Sequence, residues 1–362
     1  MSALKLATPR LPPGSLILVT GCNGLIGSHI VDQLLASGYR VRGTVRNPSK
    51  DAWLTPFFSS RYSADAFELV QVADIRAPGA FDEAIKGAAG VVHTASYMDF
   101  QTQDPEAVIP PTVESITRCL EAAASEGSSV KAFVLTSSSW ASKVAEPNVE
   151  DFVDENSWND RAVKRAYGPA EQRGPTDIYS ASKAEAERAA WKWVEERKPG
   201  FVLNTVLPST TFGGILSPEN QGVPSTAGFI RMFWQAQKAE DVGMAMMMVK
   251  PGWFVDVVDA ARLHVAGLAD EGVQDERLYG FAHEFIWDDV LKVMREMEPE
   301  GTFLGDFGME RDGVEVRTRE RAEVVLKECF GTGWTSLKDS VTRNVESFTK
   351  RSVGGDAGWI GK

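Results

Sequence analysis

Short apolar runs that end in small or polar residues recur along the chain, and a helically spaced stretch follows most of them. LILVTG at residues 16–21 is such a run, and a strand buried on both faces of a parallel sheet reads this way. In the GSHIVDQLLASGYRV that follows, Ile30, Leu34 and Leu35 fall at helical spacing, Gly38 is a stop, and Val41 to Val45 resume as strand. The pattern continues through FELVQVAD, GVVHTAS, KAFVLTSSS and FVLNTVLP, with PPTVESITRCLEAAA among the helical stretches between them. This order predicts an α/β fold with a doubly wound parallel sheet.

After Pro208 the texture changes to TTFGGILSPENQGVPSTAG and then the methionine-dense GMAMMMVKPGWF. Residues 253–268 return to strand-then-helix, and 284–349 read as helical and charged apart from a glycine-rich interruption around Gly305 to Gly313. The expected organisation is a dinucleotide-binding Rossmann domain over 1–207, rejoined by about 253–283, with a substrate lobe built from 208–252 and 284–362. The chain has 362 residues and is 43% hydrophobic, enough for a large core. Its net charge of −12 argues against nucleic acid or an anionic membrane as partner. Cys22, Cys119 and Cys329 suggest neither a disulfide framework nor a thiolate metal site, and His29, His93, His264 and His283 lack ligand spacing, so no metal is expected. With no apolar run near the roughly 20 residues a membrane helix needs, a cytoplasmic monomer or homodimer is expected.

TGCNGLIGSHI places Gly21, Gly24 and Gly27 between a strand and a helix. A pyrophosphate needs such a tight turn, close backbone approach and the free N–H groups of a helix N-terminus. Gly21, Asn23, Gly24, Leu25, Ile26 and Gly27 are therefore candidate cofactor-binding residues, although the spacing is GxxGxxG rather than GxGxxG. At the end of the second strand an NAD enzyme would hold an acid against the ribose hydroxyls. VRGTVRNPSK offers Arg42, Arg46 and Lys50 there instead, which favours a ribose 2′-phosphate and hence NADPH, with Arg46 as the expected direct contact. Asp74, with Ile75 beside it, ends the third strand, where its carboxylate can either accept from the adenine amino group or cap the next turn.

TDIYSASKAEAERAAW puts Tyr179 and Lys183 four residues apart, on one face of a helix capped by Thr176 or Asp177. A nearby ammonium favours phenolate and lowers a tyrosine pKa from about 10, making the phenol a usable proton donor. Ser138, in the hydroxyl run ending KAFVLTSSS, is placed to hydrogen-bond the substrate oxygen that Tyr179 protonates.

Together VTGCNGLIGSHI, GYRVRGTVRNPSK, VVHTAS, FVLTSSSWAS, DENSWN, YSASKAEAERAAWKW, LNTVLPSTTFG and FVDVVDAARLHVAGL make the chain resemble the extended short-chain dehydrogenase/reductases. Within that family it is most similar to the dihydroflavonol 4-reductase branch, and nearest to fungal aldehyde reductase II and methylglyoxal reductase-type carbonyl reductases. The resemblance implies that Ser138, Tyr179 and Lys183 are catalytic, with Lys183 also holding the nicotinamide ribose, and that Arg46 and Lys50 take the 2′-phosphate. It places Thr94, Ala95 and Ser96 along the cofactor and Pro208 and Thr210 near the carboxamide. Where the family often carries Asn-x-Gly-Thr, this chain reads Val113, Glu114, Ser115, Ile116, which puts a proton relay through that helix in doubt. The expected reaction is NADPH-dependent reduction of an apolar or aromatic aldehyde or ketone, with Tyr97, Phe100, Trp140, Phe212 and Trp253 as candidate pocket walls. The methionine run is either an adaptable wall or core filling. A nucleotide-sugar epimerase or dehydratase, and a non-catalytic NADPH sensor, are the competing readings.

Overall fold

The structure, a computed structural model, describes residues 3–97, 102–144 and 151–349. In chain order its strands are β1 (Leu16–Thr20), β2 (Arg40–Val45), β3 (Phe67–Gln71), β4 (Gly90–His93), β5 (Ala132–Thr136), β6 (Asp151–Val153), β7 (Val202–Pro208), β8 (Thr210–Phe212), β9 (Gly252–Asp256), β10 (Arg277–Gly280), β11 (His283–Phe285) and β12 (Val314–Val316). Seven form one sheet in the order β10-β7-β5-β4-β1-β2-β3, parallel throughout. The strand order reverses between β1 and β4, the kind of crevice in which such sheets bind ligands.

The central strands are almost wholly buried because helices cover both faces. One face packs against helices Leu25–Ala36, Val257–Ala269 and Arg319–Phe330, the other against Ile109–Ala123 and Asp177–Arg197. Helix Leu25–Ala36 also lies against Val257–Ala269, and Ile109–Ala123 against Asp177–Arg197. Among the described residues no helix is long and apolar enough to cross a membrane.

β8, β9 and β11 make a second sheet, with β9 parallel to β8 and antiparallel to β11. The strand-then-helix stretch at 253–268 therefore divides: β9 joins the small sheet while its following helix covers the large one. Phe212, expected as a pocket wall, is instead fully buried. It stacks with Phe254 at 6.1 Å and meets Phe285 edge-on at 5.2 Å, because inward-facing positions of the small sheet must fill their own core. Of the methionine run, Met246 and Met248 pack against this core while Met244 and Met247 are exposed. β12 follows the glycine-rich interruption and pairs with β6, two three-residue strands too short to carry a readable period.

Two carboxylates, Asp256 at the end of β9 and Asp259 one turn on, are buried together. Burial and then the Asp256 charge push the Asp259 carboxyl up to about 6, against the Thr335 N–H that donates to it at 2.7 Å and the Arg262 guanidinium at 3.7 Å. A raised acid binds more protons folded than unfolded, so its contribution to stability falls as pH rises through the interval up to about 6. Asp259→Asn is expected to stabilise the protein by about 1–3 kcal/mol at pH 8 and by much less at pH 4. Thermal melts of both proteins across that range check it, and a stability difference that does not grow with pH removes the assignment.

Candidate active site

Where β1 meets its helix, the backbone turns at Gly21 with φ +65°, and a Cβ there would meet Ala95 at 3.1 Å. A Cβ on Gly27 would lie 2.2 Å from the Gly21 carbonyl oxygen, so the first helical turn reaches its place only without a side chain. Gly24, with φ −73°, is spaced more openly, its nearest contact at 3.5 Å. The turn is held from several sides. Thr20 Oγ1 accepts from the Thr94 and Ala95 N–H groups at 3.0 Å each, Asn23 Nδ2 donates to Asp51 at 3.0 Å, and Gln221 Nε2 donates to the Asn23 carbonyl at 3.1 Å. Leu25 is buried and Ile26 packs on the core, which leaves the first N–H groups of the helix to face an anion.

Arg46 and Lys50 follow β2 and are exposed, with no side-chain ion pair among the described residues. Arg42, counted with them in the sequence, is engaged elsewhere: it donates to Glu68 at 2.7 Å and to the Ala84 and Lys86 carbonyls at 2.9 and 2.7 Å. Its position inside β2 aims it across the strand to β3, leaving two cations for a 2′-phosphate. Asp74 accepts from the Arg76 backbone N–H at 3.0 Å and from its guanidinium at 2.9 Å, which holds its carboxyl down at about 2. Of its two sequence readings, the turn cap is thus occupied. Ile75 rests on the neighbouring core cluster. The glycine cradle and the two unpaired cations fit NADPH.

Ser138 lies just past the end of β5 in extended backbone, and the Trp140 N–H donates to its Oγ at 3.2 Å. The same hydroxyl hydrogen-bonds the Tyr179 phenol. Tyr179 and Lys183 project from the alanine-rich helix Asp177–Arg197, whose start is tied down where Asp177 accepts the Gly174 N–H at 2.7 Å. Lys183 is buried, which pushes its ammonium down to about 8 while Glu187 pulls it back up. The expectation that Lys183 lowers the tyrosine is corrected here. Enclosure raises the phenol, although part of the ring stays accessible, and the opposing pull comes from Ser138. The reason is direction: the phenol reaches to the Ser138 turn, whereas the Lys183 charge acts on buried His93, held down at about 3 by burial and then by that charge. Ser115, at the departure from the family pattern, spends its hydroxyl on the Thr112 carbonyl at 2.8 Å.

A cavity of about 410 Å³ opens beside this trio. Trp140, Trp253, Ser209 and Thr210 line it, and Pro208 stands buried at the end of β7 just before them. Trp140 meets Tyr179 edge-on at 5.5 Å and lines the cavity, which neither Tyr179 nor Ser138 does. The Trp253 indole N–H has no hydrogen-bond partner among the described residues. Ser96 is half-buried, and Tyr97 lies under the Arg76 guanidinium at 4.9 Å instead of in the cavity. Phe100 falls outside the described residues. The sequence reading missed Thr20, Asn159 and Glu187. All three lie inside motifs quoted above, and Glu187 also stands four residues beyond Lys183.

A doubly wound sheet with a glycine cradle after β1, a serine past the end of β5 and a tyrosine and a lysine one turn apart on the helix beside it defines an extended short-chain dehydrogenase/reductase. The chain belongs to the NAD dependent epimerase/dehydratase family, whose model matches residues 17–278. It is 39% identical to aldehyde reductase 2 of Sporidiobolus salmonicolor over 95% of this chain and 99% of that one. It is also 39% identical to ketoreductase adrE of Penicillium rubens, over 91% and 96% of the two chains. Among solved structures, Gre2 of Candida albicans in complex with NADPH aligns with a TM-score of 0.80 at 25% identity, covering 92% of this chain and 98% of that one.

The cradle predicts an asymmetry between two glycines. Gly27→Ala is expected to weaken NADPH binding by about a hundredfold or to unfold the turn, since the neighbour it meets is backbone. Gly24→Ala is expected to change binding less than about threefold and to lose slightly in helix stability, because Gly24 is the N-cap, where glycine is preferred to alanine. Fluorescence titration with NADPH compares them, and equal losses would contradict the cradle geometry.

Proposed function

We propose that this protein is an NADPH-dependent carbonyl reductase that converts an aldehyde or ketone to the alcohol. The observation that carries the reading is the Tyr179 phenol hydrogen-bonded to Ser138 at the sheet's carboxyl edge, with Lys183 one helical turn on. Relatives named aldehyde reductase and ketoreductase, and a Gre2 structure solved with NADPH, support it. Arg46 and Lys50, standing where an NAD-retaining epimerase would hold an acid, weigh against the competing enzyme reading.

When bound, NADPH supplies a hydride from C4 of its nicotinamide. The glycine cradle and the first N–H groups of helix Leu25–Ala36 hold the pyrophosphate, Arg46 and Lys50 the 2′-phosphate, and Lys183 the nicotinamide ribose. Tyr179, kept neutral by its surroundings, has a proton to give at physiological pH. It donates that proton to the substrate oxygen as negative charge develops there, while the Ser138 hydroxyl hydrogen-bonds the same oxygen. The Lys183 ammonium, with its pKa near 8, is mostly charged at neutral pH and so can donate to the ribose hydroxyls. The cavity beside Trp140, walled by Trp253 and Thr210 as well as by Arg161 and Arg165, would take the rest of the substrate, its aromatic walls suiting an apolar or aromatic group.

Mixing the protein with NADPH and a panel of aldehydes and ketoesters is expected to consume reduced nicotinamide, followed by absorbance. Tight NADPH binding with no consumption on any carbonyl would favour the sensor reading. Tyr179→Phe is expected to keep NADPH affinity and lower kcat by about 10²–10⁴-fold. Retained turnover would strip Tyr179 of its role. Trp140→Ala widens the cavity on the side nearest Tyr179 and is expected to raise kcat/KM for bulky ketones relative to small aldehydes by about tenfold or more. An unchanged ratio means the indole does not limit substrate size.

A further inference from the structure

Four residues beyond Lys183 on the same helix, Glu187 is fully buried. Four elements converge on its carboxylate. Ser137 Oγ donates at 2.6 Å from the turn after β5, and Thr205 Oγ1 at 2.9 Å from β7. Trp191 Nε1 donates at 3.3 Å from the next turn of the helix, and Arg277 Nε at 2.7 Å from β10. Arg277 carries the network outward, donating through Nη1 to the Glu155 and Ser157 carbonyls at 3.0 and 2.8 Å and stacking on Trp158 at 4.0 Å. Ser157, Trp158 and Asn159 line the cavity, and Asn159 Nδ2 donates to the Trp140 carbonyl at 2.8 Å. An unbroken series of contacts thus runs from the neighbour of Ser138, through Glu187 and Arg277, to the cavity wall and back to Trp140.

We propose that Glu187 is a positioning residue for the reduction: its carboxylate fixes the Ser138 turn against the helix that bears Tyr179 and Lys183, and both against the cavity wall. The proposal rests on the reading that those three residues carry the reaction. Stability alone does not explain the arrangement, because a buried ion pair is often no more stabilising than well-packed apolar residues of the same size. Placement does explain it, since a misplacement of about 1 Å in a reacting group costs on the order of 10²-fold in rate. Charge supplies a second reason. Lys183 is faced by Glu187 from its own helix and by neutral His93 from β4, and of the two Glu187 alone brings a negative charge to oppose burial.

Glu187→Gln keeps the size and removes the charge, but leaves Arg277 buried without its counter-ion, so Glu187→Gln/Arg277→Gln is made beside it to restore neutrality. Both variants are expected to bind NADPH within about threefold of wild type, and to lose about tenfold or more in kcat with KM for the carbonyl changed less than about threefold. Because Glu187 holds the Lys183 pKa up, its removal is expected to move the alkaline limb of the kcat/KM profile to lower pH. Amide hydrogen exchange over Ser138–Ala141 is expected to quicken in the variants even without substrate. Trp191→Phe, which loses one hydrogen bond and keeps the charge, leaves the limb in place. A folded double variant with wild-type kcat, an unmoved limb and unchanged exchange overturns the proposal. If neither Glu187 variant folds, Ser137→Ala cuts the tie at the turn alone, and unchanged kcat and exchange there overturn it equally. Turnover retained by Tyr179→Phe would instead sink the assigned acid, with the exchange and binding readouts still deciding the role of Glu187.

Discussion

Seven strands running in one direction bring their carboxyl ends, and the loops that leave them, to a single edge of the sheet. The rest of the arrangement depends on that constraint. The glycine cradle leaves β1, the cations leave β2, Thr94 and Ala95 leave β4, the Ser138 turn leaves β5, and Ser209 and Thr210 leave β7. Residues far apart in sequence need no further device to meet. Burial on both faces gives the edge its stiffness, because a strand packed on two sides has little room to shift.

Within this frame the acid-base groups are set by opposing burdens of burial. Removal from water keeps Tyr179 protonated and pushes Lys183 toward neutrality, the first useful to the proposed proton donor and the second adverse to the charge that the proposed reaction asks of Lys183. Each has one local correction, a hydroxyl for the tyrosine and a carboxylate for the lysine. A pair at helical spacing is therefore only the beginning of the chemistry, and what the pair does is decided by the neighbour each member finds.

How far the sequence could be read follows from range. The large sheet was legible because each strand carries its own apolar run and each helix its own period, and the cradle because its glycines sit side by side. Ser138, Tyr179 and Lys183 were visible as local patterns on a strand end and a helix. The small sheet was harder: β8 and β11 are three residues each, and Phe212 read as a pocket aromatic because nothing local says that Phe254, Phe285 and Trp287 close over it. Arg42 looked equivalent to Arg46 until strand pairing set it opposite Glu68. Glu187 meets Arg277 across 90 positions, and no spacing rule reaches that far.

Gln221, on the segment after β8, spans 198 positions to the Asn23 carbonyl and also donates to Ser28 Oγ at 3.0 Å. One amide thereby clasps the segment after β8 to the glycine turn and to the first turn of the helix that follows it. The glycine turn therefore answers to a stretch of chain remote from it in sequence, and loosening that one amide would release both at once.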